Sequence, residues 1–213
     1  MELSASATMQ AYRHLERMIV TLELPPAAVM TEGALVDRIG LGRTPVREAI
    51  QRLSWEGLVE VRPRAGIAIA PLHVSDWRRV LEARRGAEMI LARSAARLVT
   101  DQAAARFQEA ASDMQKSVIT GSVTAFLDAD KALDEAIAAA ADNPFASRLV
   151  APLQTHSRRF WFRYQNDGGL AAAALAHVGL IRAISNGDDV GAEAAAGALI
   201  DLLTANAQAA LRA

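Results

Sequence analysis

A chain of 213 residues with 52% apolar side chains has room for one large domain or two modest ones, and enough apolar surface to bury a core. It contains no cysteine, which excludes disulfides and thiolate metal sites and makes a cytoplasmic location the simplest expectation. A net charge of −1 excludes a protein whose whole surface coats nucleic acid, yet is compatible with a local basic face. Residues 1–17 carry Glu2, Arg13, His14, Glu16 and Arg17 with no apolar run between them, so no secretory signal is expected. No run of about eighteen apolar residues predicts a membrane span.

In chain order, the periodicity predicts a helix over about 8–22, a turn at Pro25-Pro26, and helices over about 31–39 and 43–56. Two strands follow, Leu58–Arg62 and Gly66–Ala70, in which Val59, Val61, Ile67 and Ile69 alternate as in half-buried strands. Pro63-Arg64-Ala65-Gly66 supplies the turn between them. Three helices and such a hairpin make a winged helix-turn-helix with a two-stranded β wing, expected over residues 1–72.

Beyond Pro71 the sequence is almost entirely helix-forming alanine, leucine and arginine, which predicts an all-helical bundle over 73–213 and a mainly α protein. Six helices of roughly 18–24 residues are bounded by Ser75, Thr100-Asp101, Gly121-Ser122, Asn143-Pro144, Gly168-Gly169 and Gly187-Asp188. The alanine-rich stretches 171–174 and 192–198 are expected to mark close helix packing.

The third helix divides into two faces. Val46, Ala49, Ile50 and Leu53 form an apolar stripe, while Arg43, Arg47 and Gln51 recur at every fourth position on another face beside Thr44. An arginine per turn near the start of a helix suits entry into the DNA major groove, where guanidinium groups pair with guanine edges. Arg62 and Arg64 at the wing turn add a second basic element for phosphates or a minor groove, and Gly66 is expected to let the wing backbone approach the duplex. The bland alternative is a surface helix in which Glu48 and Arg52 pair at i, i+4.

The run from Leu22 to Ile69 resembles the DNA-binding domain of the GntR family of regulators. The resemblance rests on Glu32, Leu35, Arg43-Thr44-Pro45-Val46-Arg47-Glu48-Ala49-Ile50, Arg52-Leu53, Glu56-Gly57-Leu58-Val59 and Gly66. It implies a homodimer on a palindromic operator in double-stranded DNA, contacted by Arg43, Thr44, Arg47 and the wing at Gly66. The chain departs from the usual pattern at Pro25-Pro26, Gly33 and Gly42.

In the second half, polar residues fall on faces that should be buried. Arg84 lies in the stripe Val80, Ala87, Leu91 and Leu98. Asp130 and Asp134 lie in the stripe Phe126, Leu133, Ile137 and Ala141. His177 lies between Leu170, Ala174, Ile181 and Ile184. Buried charge is costly unless paired or metal-bound, so these residues suggest a shared pocket, or a plain ion pair from Arg84 to Asp130 or Asp134. A further cluster, His156, Arg158, Arg159 and Arg163 beside Trp161 and Tyr164, is expected to be a solvated helix face, with the pocket lining or a dimer surface as the alternatives.

From Ser75 onward the chain resembles the all-helical effector domain called FCD, through Arg84-Arg85-Gly86-Ala87-Glu88, Asp130, Asp134 and Asn143, and His177 with Ile184 and Gly187-Asp188. The resemblance implies an effector site at Arg84, Asp130, Asp134, Asn143 and His177, a small carboxylate as effector, and in many members a divalent metal held by one aspartate and three histidines. Here Asp130 and His177 stand at two of those positions, and Asp134 and Leu199 at the others. Two outcomes follow: a three-ligand site of Asp130, Asp134 and His177 for a divalent metal (Mn, Mg, Ni or Zn), its oxygen-rich set favouring Mn or Mg over Zn, or loss of the metal, with Arg84 and His177 holding an acidic ligand. A ligand-responsive repressor is the expected function. The alternatives are a metal-dependent helical hydrolase or lyase, and a winged helix used for protein contact.

Overall fold

The computed structural model describes residues 6–165 and 169–212, so the boundary residue Gly168 lies outside the described residues. The chain divides into two compact units, Met1–His73 and Val74–Ala213.

The first unit contains α1 (Ala7–Val20), β1 (Val29–Met30), α2 (Glu32–Ile39), α3 (Arg43–Trp55), β2 (Val59–Arg62) and β3 (Gly66–Ile69). Ser6 and Thr31 cap α1 and α2, each accepting from the backbone N–H three residues on. The apolar stripe of α3 is buried as expected, and Val46, Ala49, Ile50 and Leu53 pack with Leu15, Ile19, Leu35 and Ile67 in one core. Opposite that stripe, Arg52 bonds Glu56 at 2.9 Å and lies 3.8 Å over the Tyr12 ring, whose hydroxyl donates to Glu56 at 2.8 Å. The Glu48–Arg52 pair of the alternative reading does not form: Glu48 accepts from Thr8 of α1 at 2.5 Å, and Arg52 is drawn to the aromatic face.

The wing is a three-stranded antiparallel sheet in the order β1-β3-β2, one strand more than the sequence predicts. Val29 pairs with Ala68 and Met30 with Ile67, so β1 closes the outer edge of β3. Val59 faces the core, but Val61 is 51% exposed, because β2 runs out past the core toward the wing tip. The tip is a β-turn in which Ala65 N–H donates to Arg62 O at 3.1 Å, and Arg64 occupies the left-handed region at φ 64°.

Gly66 has a structural role that the sequence did not disclose. Its φ is 108°, and a Cβ built there would lie 2.6 Å from the carbonyl oxygen of Met30. The close approach is therefore to β1, within the sheet.

The second unit is a bundle of α4 (Val74–Arg97), α5 (Asp101–Thr120), α6 (Val123–Ala140), α7 (Pro144–Tyr164), α8 (Gly169–Ser185) and α9 (Asp189–Ala210). Thr100, Ser122, Asn143 and Asp188 cap four of these helices with their side chains. On α4 the buried face is centred on Trp77, Leu81, Arg84, Ala87, Glu88 and Leu91, and Leu98 of the expected stripe is 52% exposed. The alanine-rich helices serve close packing: Ala173 and Ala174 of α8 and Ala192 and Ala196 of α9 are all buried. Arg93 and Arg97 of α4 reach Asp189 and Glu193 on α9, tying the two helices at the surface. No helix among the described residues is long and apolar enough to cross a membrane.

Gly66→Ala is expected to destabilise the first unit by roughly 1–3 kcal/mol, from strain at a positive φ and the clash with Met30. Urea unfolding of the two proteins measures the difference. Equal midpoints would contradict the role assigned to the sheet contact.

Candidate functional site

The exposed face of α3 is the first site. Arg43, Thr44, Arg47 and Gln51 are all exposed, on the side opposite the buried stripe. Arg47 is held as a fork by Glu32 at the first turn of α2, Nε to Oε2 at 3.1 Å and Nη2 to Oε1 at 2.8 Å. The Arg47 bond and charge lower the Glu32 pKa, although the pair is too exposed to contribute much stability. Arg62 is paired with Glu60 on the wing at 2.7 Å, while Arg64 extends exposed from the turn. Residues 1–73 contain eight arginines and eight carboxylates, so any cationic face comes from their arrangement and not from an excess.

The second site lies in the core of the helical unit. Asp130 and Asp134 on α6 point one turn apart toward α7, whose Arg158 places Nη1 at 3.1 Å from Asp130 Oδ2 and 2.6 Å from Asp134 Oδ2. His177 on α8 places Nε2 at 2.8 Å from Asp130 Oδ1, and its Nδ1 lies 2.7 Å from the carbonyl oxygen of Ala173. The edge of the Phe126 ring packs against the imidazole, with centroids 5.6 Å apart. These side chains are only 8–13% exposed.

Both ring nitrogens of His177 thus face acceptors. A carbonyl oxygen cannot donate, and an ionised carboxylate cannot either, so the arrangement fits an imidazolium that donates twice. Burial opposes that charge, but the hydrogen bond and charge of Asp130 prevail and raise the His177 pKa. For Asp130 burial alone would raise the pKa; the His177 bond and charge, together with Arg158 and Arg84, carry it well below the usual carboxylate range. Asp134 goes the other way, pushed up to about 7 by burial and by the charge of Asp130, with Arg158 only partly offsetting them.

Arg84 is buried as expected but does not bridge to the aspartates. It bonds Glu88 one turn along its own helix, at 2.9 and 3.1 Å, and Gln154 of α7 also donates to that carboxylate at 2.9 Å. The i, i+4 spacing lets Arg84 satisfy its charge locally, which leaves the aspartates to α7. Sequence reasoning missed Glu88 and Gln154, and favoured a solvated face over the pocket for Arg158. The face expected to be solvated is buried at Arg158 and Arg159, while Arg163 is exposed. A signal was present: Val150, Gln154, Ser157, Arg158 and Trp161 follow the spacing of one helix face, bounded by apolar residues at both ends. Asn143 is not brought into this site. Its Oδ1 accepts from Ala146 N–H at 3.1 Å to cap α7, and it lines a separate surface groove with Pro144 and Arg148.

Arg84, Asp130, Ser157, Arg158 and His177 line a small cavity whose apolar wall is Phe126, Leu127, Trp161, Ala173 and Leu203. Its volume is about 30 Å³, room for a water or two but not for an organic acid unless side chains move. The donor set does not fit the metal that the resemblance implies. Among the described residues there is no group of three histidine and acidic side chains arranged to hold an ion. Metal-binding histidine must offer a bare nitrogen, whereas His177 has both nitrogens engaged with acceptors. A guanidinium already sits between the two aspartates, and Leu199 is buried with no donor atom.

The ionisation pattern predicts a pH effect. Asp134 binds its proton more tightly folded than unfolded, so its contribution to stability is full below its ordinary value of 3.8 and is lost as pH rises through about 7. Asp130, shifted down, stays ionised in both states over that range. Melting temperatures of the wild type and Asp134→Asn from pH 5 to 7.5 should diverge, with the wild type falling more steeply. Parallel curves would contradict the raised value.

Comparison with known proteins agrees with this geometry. The model of the bacterial regulatory proteins of the gntR family matches residues 7–69, and that of the FCD domain matches residues 79–202. An HTH-type transcriptional regulator of Streptomyces ambofaciens is 41% identical over 75 residues, covering 34% of this chain and 32% of its own. The HTH-type transcriptional repressor RspR of Escherichia coli is 33% identical over 92 residues, 43% of this chain and 40% of that one. The chain therefore matches only about a third to two fifths of these relatives' lengths. The E. coli McbR/YncC structure superposes with a TM-score of 0.81 at 19% identity, covering 98% of this chain and 99% of that one. A GntR regulator from Rhodococcus sp. RHA1 gives 0.69 at 21% identity over 98% and 99% of the two chains. These likenesses show the fold. The relatives are named as transcriptional regulators and not as enzymes, and the chain belongs to the GntR family of bacterial regulators, in the group that carries an FCD domain.

Proposed function

We propose that this protein is a DNA-binding repressor whose operator affinity is set by a small carboxylate effector held in the helical unit. The observation that carries the reading is the exposed face of α3, where Arg43, Thr44, Arg47 and Gln51 stand at helical spacing beside a wing bearing Arg62 and Arg64. In this reading the first turns of α3 enter the major groove, and the wing arginines take phosphates or the minor groove. A homodimer would place two such helices on a palindromic operator. The relative named a repressor supports the sign of regulation.

The effector class follows from the cavity lining. Arg84, Arg158 and His177 supply cationic donors, and Phe126, Leu127 and Leu203 supply an apolar wall, which together suit a small acid with a hydrocarbon part. Such an acid would displace a carboxylate from Arg158 on entry, because the existing space is too small. Regulation requires that the acid bind the DNA-competent and incompetent states unequally.

Arg64 separates a DNA role from a structural one. Its left-handed backbone costs about 1 kcal/mol in a residue other than glycine, so Arg64→Gly should leave stability unchanged or raise it. The same change should weaken binding to an operator selected from random duplexes and lower the salt slope by about one. Arg43→Ala should cost roughly tenfold in operator affinity with folding intact. Fluorescence anisotropy at several salt concentrations reads both effects; unchanged affinity in both variants would overturn the assigned interface.

A further inference from the structure

We propose that the Arg158 guanidinium is the resident cation of the effector pocket, standing where a divalent metal would stand, so that the pocket is built to work without one. The argument starts from charge. Two carboxylates one turn apart on α6, 13% exposed, repel each other and are costly to bury unless a cation lies between them. A divalent ion meets that need in one way. A guanidinium brought in on another helix meets it as well, and Arg158 Nη1 lies within 3.1 Å of both carboxylates. Its charge is permanent, because the carboxylates raise its pKa against the burial that lowers it.

Three further features fit the same assignment. The Arg158 Nη2 is tied to Thr155 Oγ1 at 3.4 Å, one turn back on α7, which orients the fork toward α6. The third member of the set, His177, is turned into a second donor to Asp130 by its bond to the Ala173 carbonyl. Glu88, the remaining buried carboxylate, is occupied by Arg84 and Gln154, so it does not compete for Arg158. Asp130, Asp134 and Glu88 therefore each meet a protein cation, with Arg158 shared by the two aspartates.

The guanidinium differs from a metal in one functional respect. It is covalently part of α7, so a ligand that takes Arg158 from the aspartates pulls on a helix rather than on a loose ion. Without Arg158 the two aspartates would lose the guanidinium between them, and a divalent ion is the replacement their oxygens would take, with His177 joining only by giving up its bond to Asp130.

That last point gives the test, which concerns only the pocket cation and is independent of whether the protein binds DNA. Wild type and Arg158→Ala are incubated separately with Zn, Mn and Ni salts, dialysed, and assayed for metal by elemental analysis and for melting temperature with and without chelator. The wild type should retain no stoichiometric metal and show no change in melting temperature on chelation. Arg158→Ala should bind a divalent ion stoichiometrically and melt higher with it, and a second change, Asp130→Asn, should abolish the gain. A variant that folds only when metal is supplied supports the same conclusion. Stoichiometric metal in the wild type would overturn the proposal, and that arm needs no variant to fold. A folded Arg158→Ala that ignores all three metals would overturn it too.

Discussion

The contact between Arg158 and the paired aspartates is the constraint around which the helical unit is arranged. It joins α6 to α7, and through Asp130 it reaches His177 on α8, so three helices share one buried set of charges. Removing a single partner from such a set strands a charge in a poorly solvated place, which costs about 3–5 kcal/mol in comparable cases. The aromatic pairs around it, Phe126 against Trp161 and His177, put apolar rings beside the charges, which strengthens their electrostatics. Packing and charge therefore support each other: the apolar wall makes the cluster strong, and the cluster fixes the register of the helices that form the wall.

The winged unit follows a different rule. Its core is apolar, and its charges lie at the surface in exposed pairs of small energetic weight, Arg47 with Glu32 and Arg62 with Glu60. Weak pairs are consistent with the proposed DNA-binding surface, because little is lost when such a pair opens. Strain appears in the same place, with Arg64 held in a left-handed backbone at the tip of the wing.

Much of the fold could be read from the sequence because local rules decide it. Asn143-Pro144 and Gly187-Asp188 mark helix starts, and Asn143 and Asp188 cap α7 and α9 as such residues should. The α3 stripe was legible because four apolar residues at helical spacing have one outcome. By contrast β1 is two residues long, too short to show alternation, and exists only because β3 offers an edge. The sheet role of Gly66, its close approach to Met30, was not legible, because β1 itself leaves no sequence signal. The site was half legible. Asp130, Asp134, Arg84 and His177 were found as polar residues on apolar faces, but their partners were not. Arginine is long enough to be solvated or buried from the same sequence position, so Arg158 was read as surface when its neighbours on the α7 face are core. Asn143, chosen on resemblance, turned out to be committed to its helix.

The central claim is that His177 and Arg158 are both donors to Asp130, which closes the pocket to metal. The most direct measurement is a long-range proton–nitrogen NMR spectrum of the imidazole side chains at pH 7, assigned among the four histidines by comparison with His177→Gln. The account predicts that both His177 nitrogens carry protons and that zinc leaves their shifts unchanged. A bare His177 nitrogen that shifts on adding zinc would contradict it.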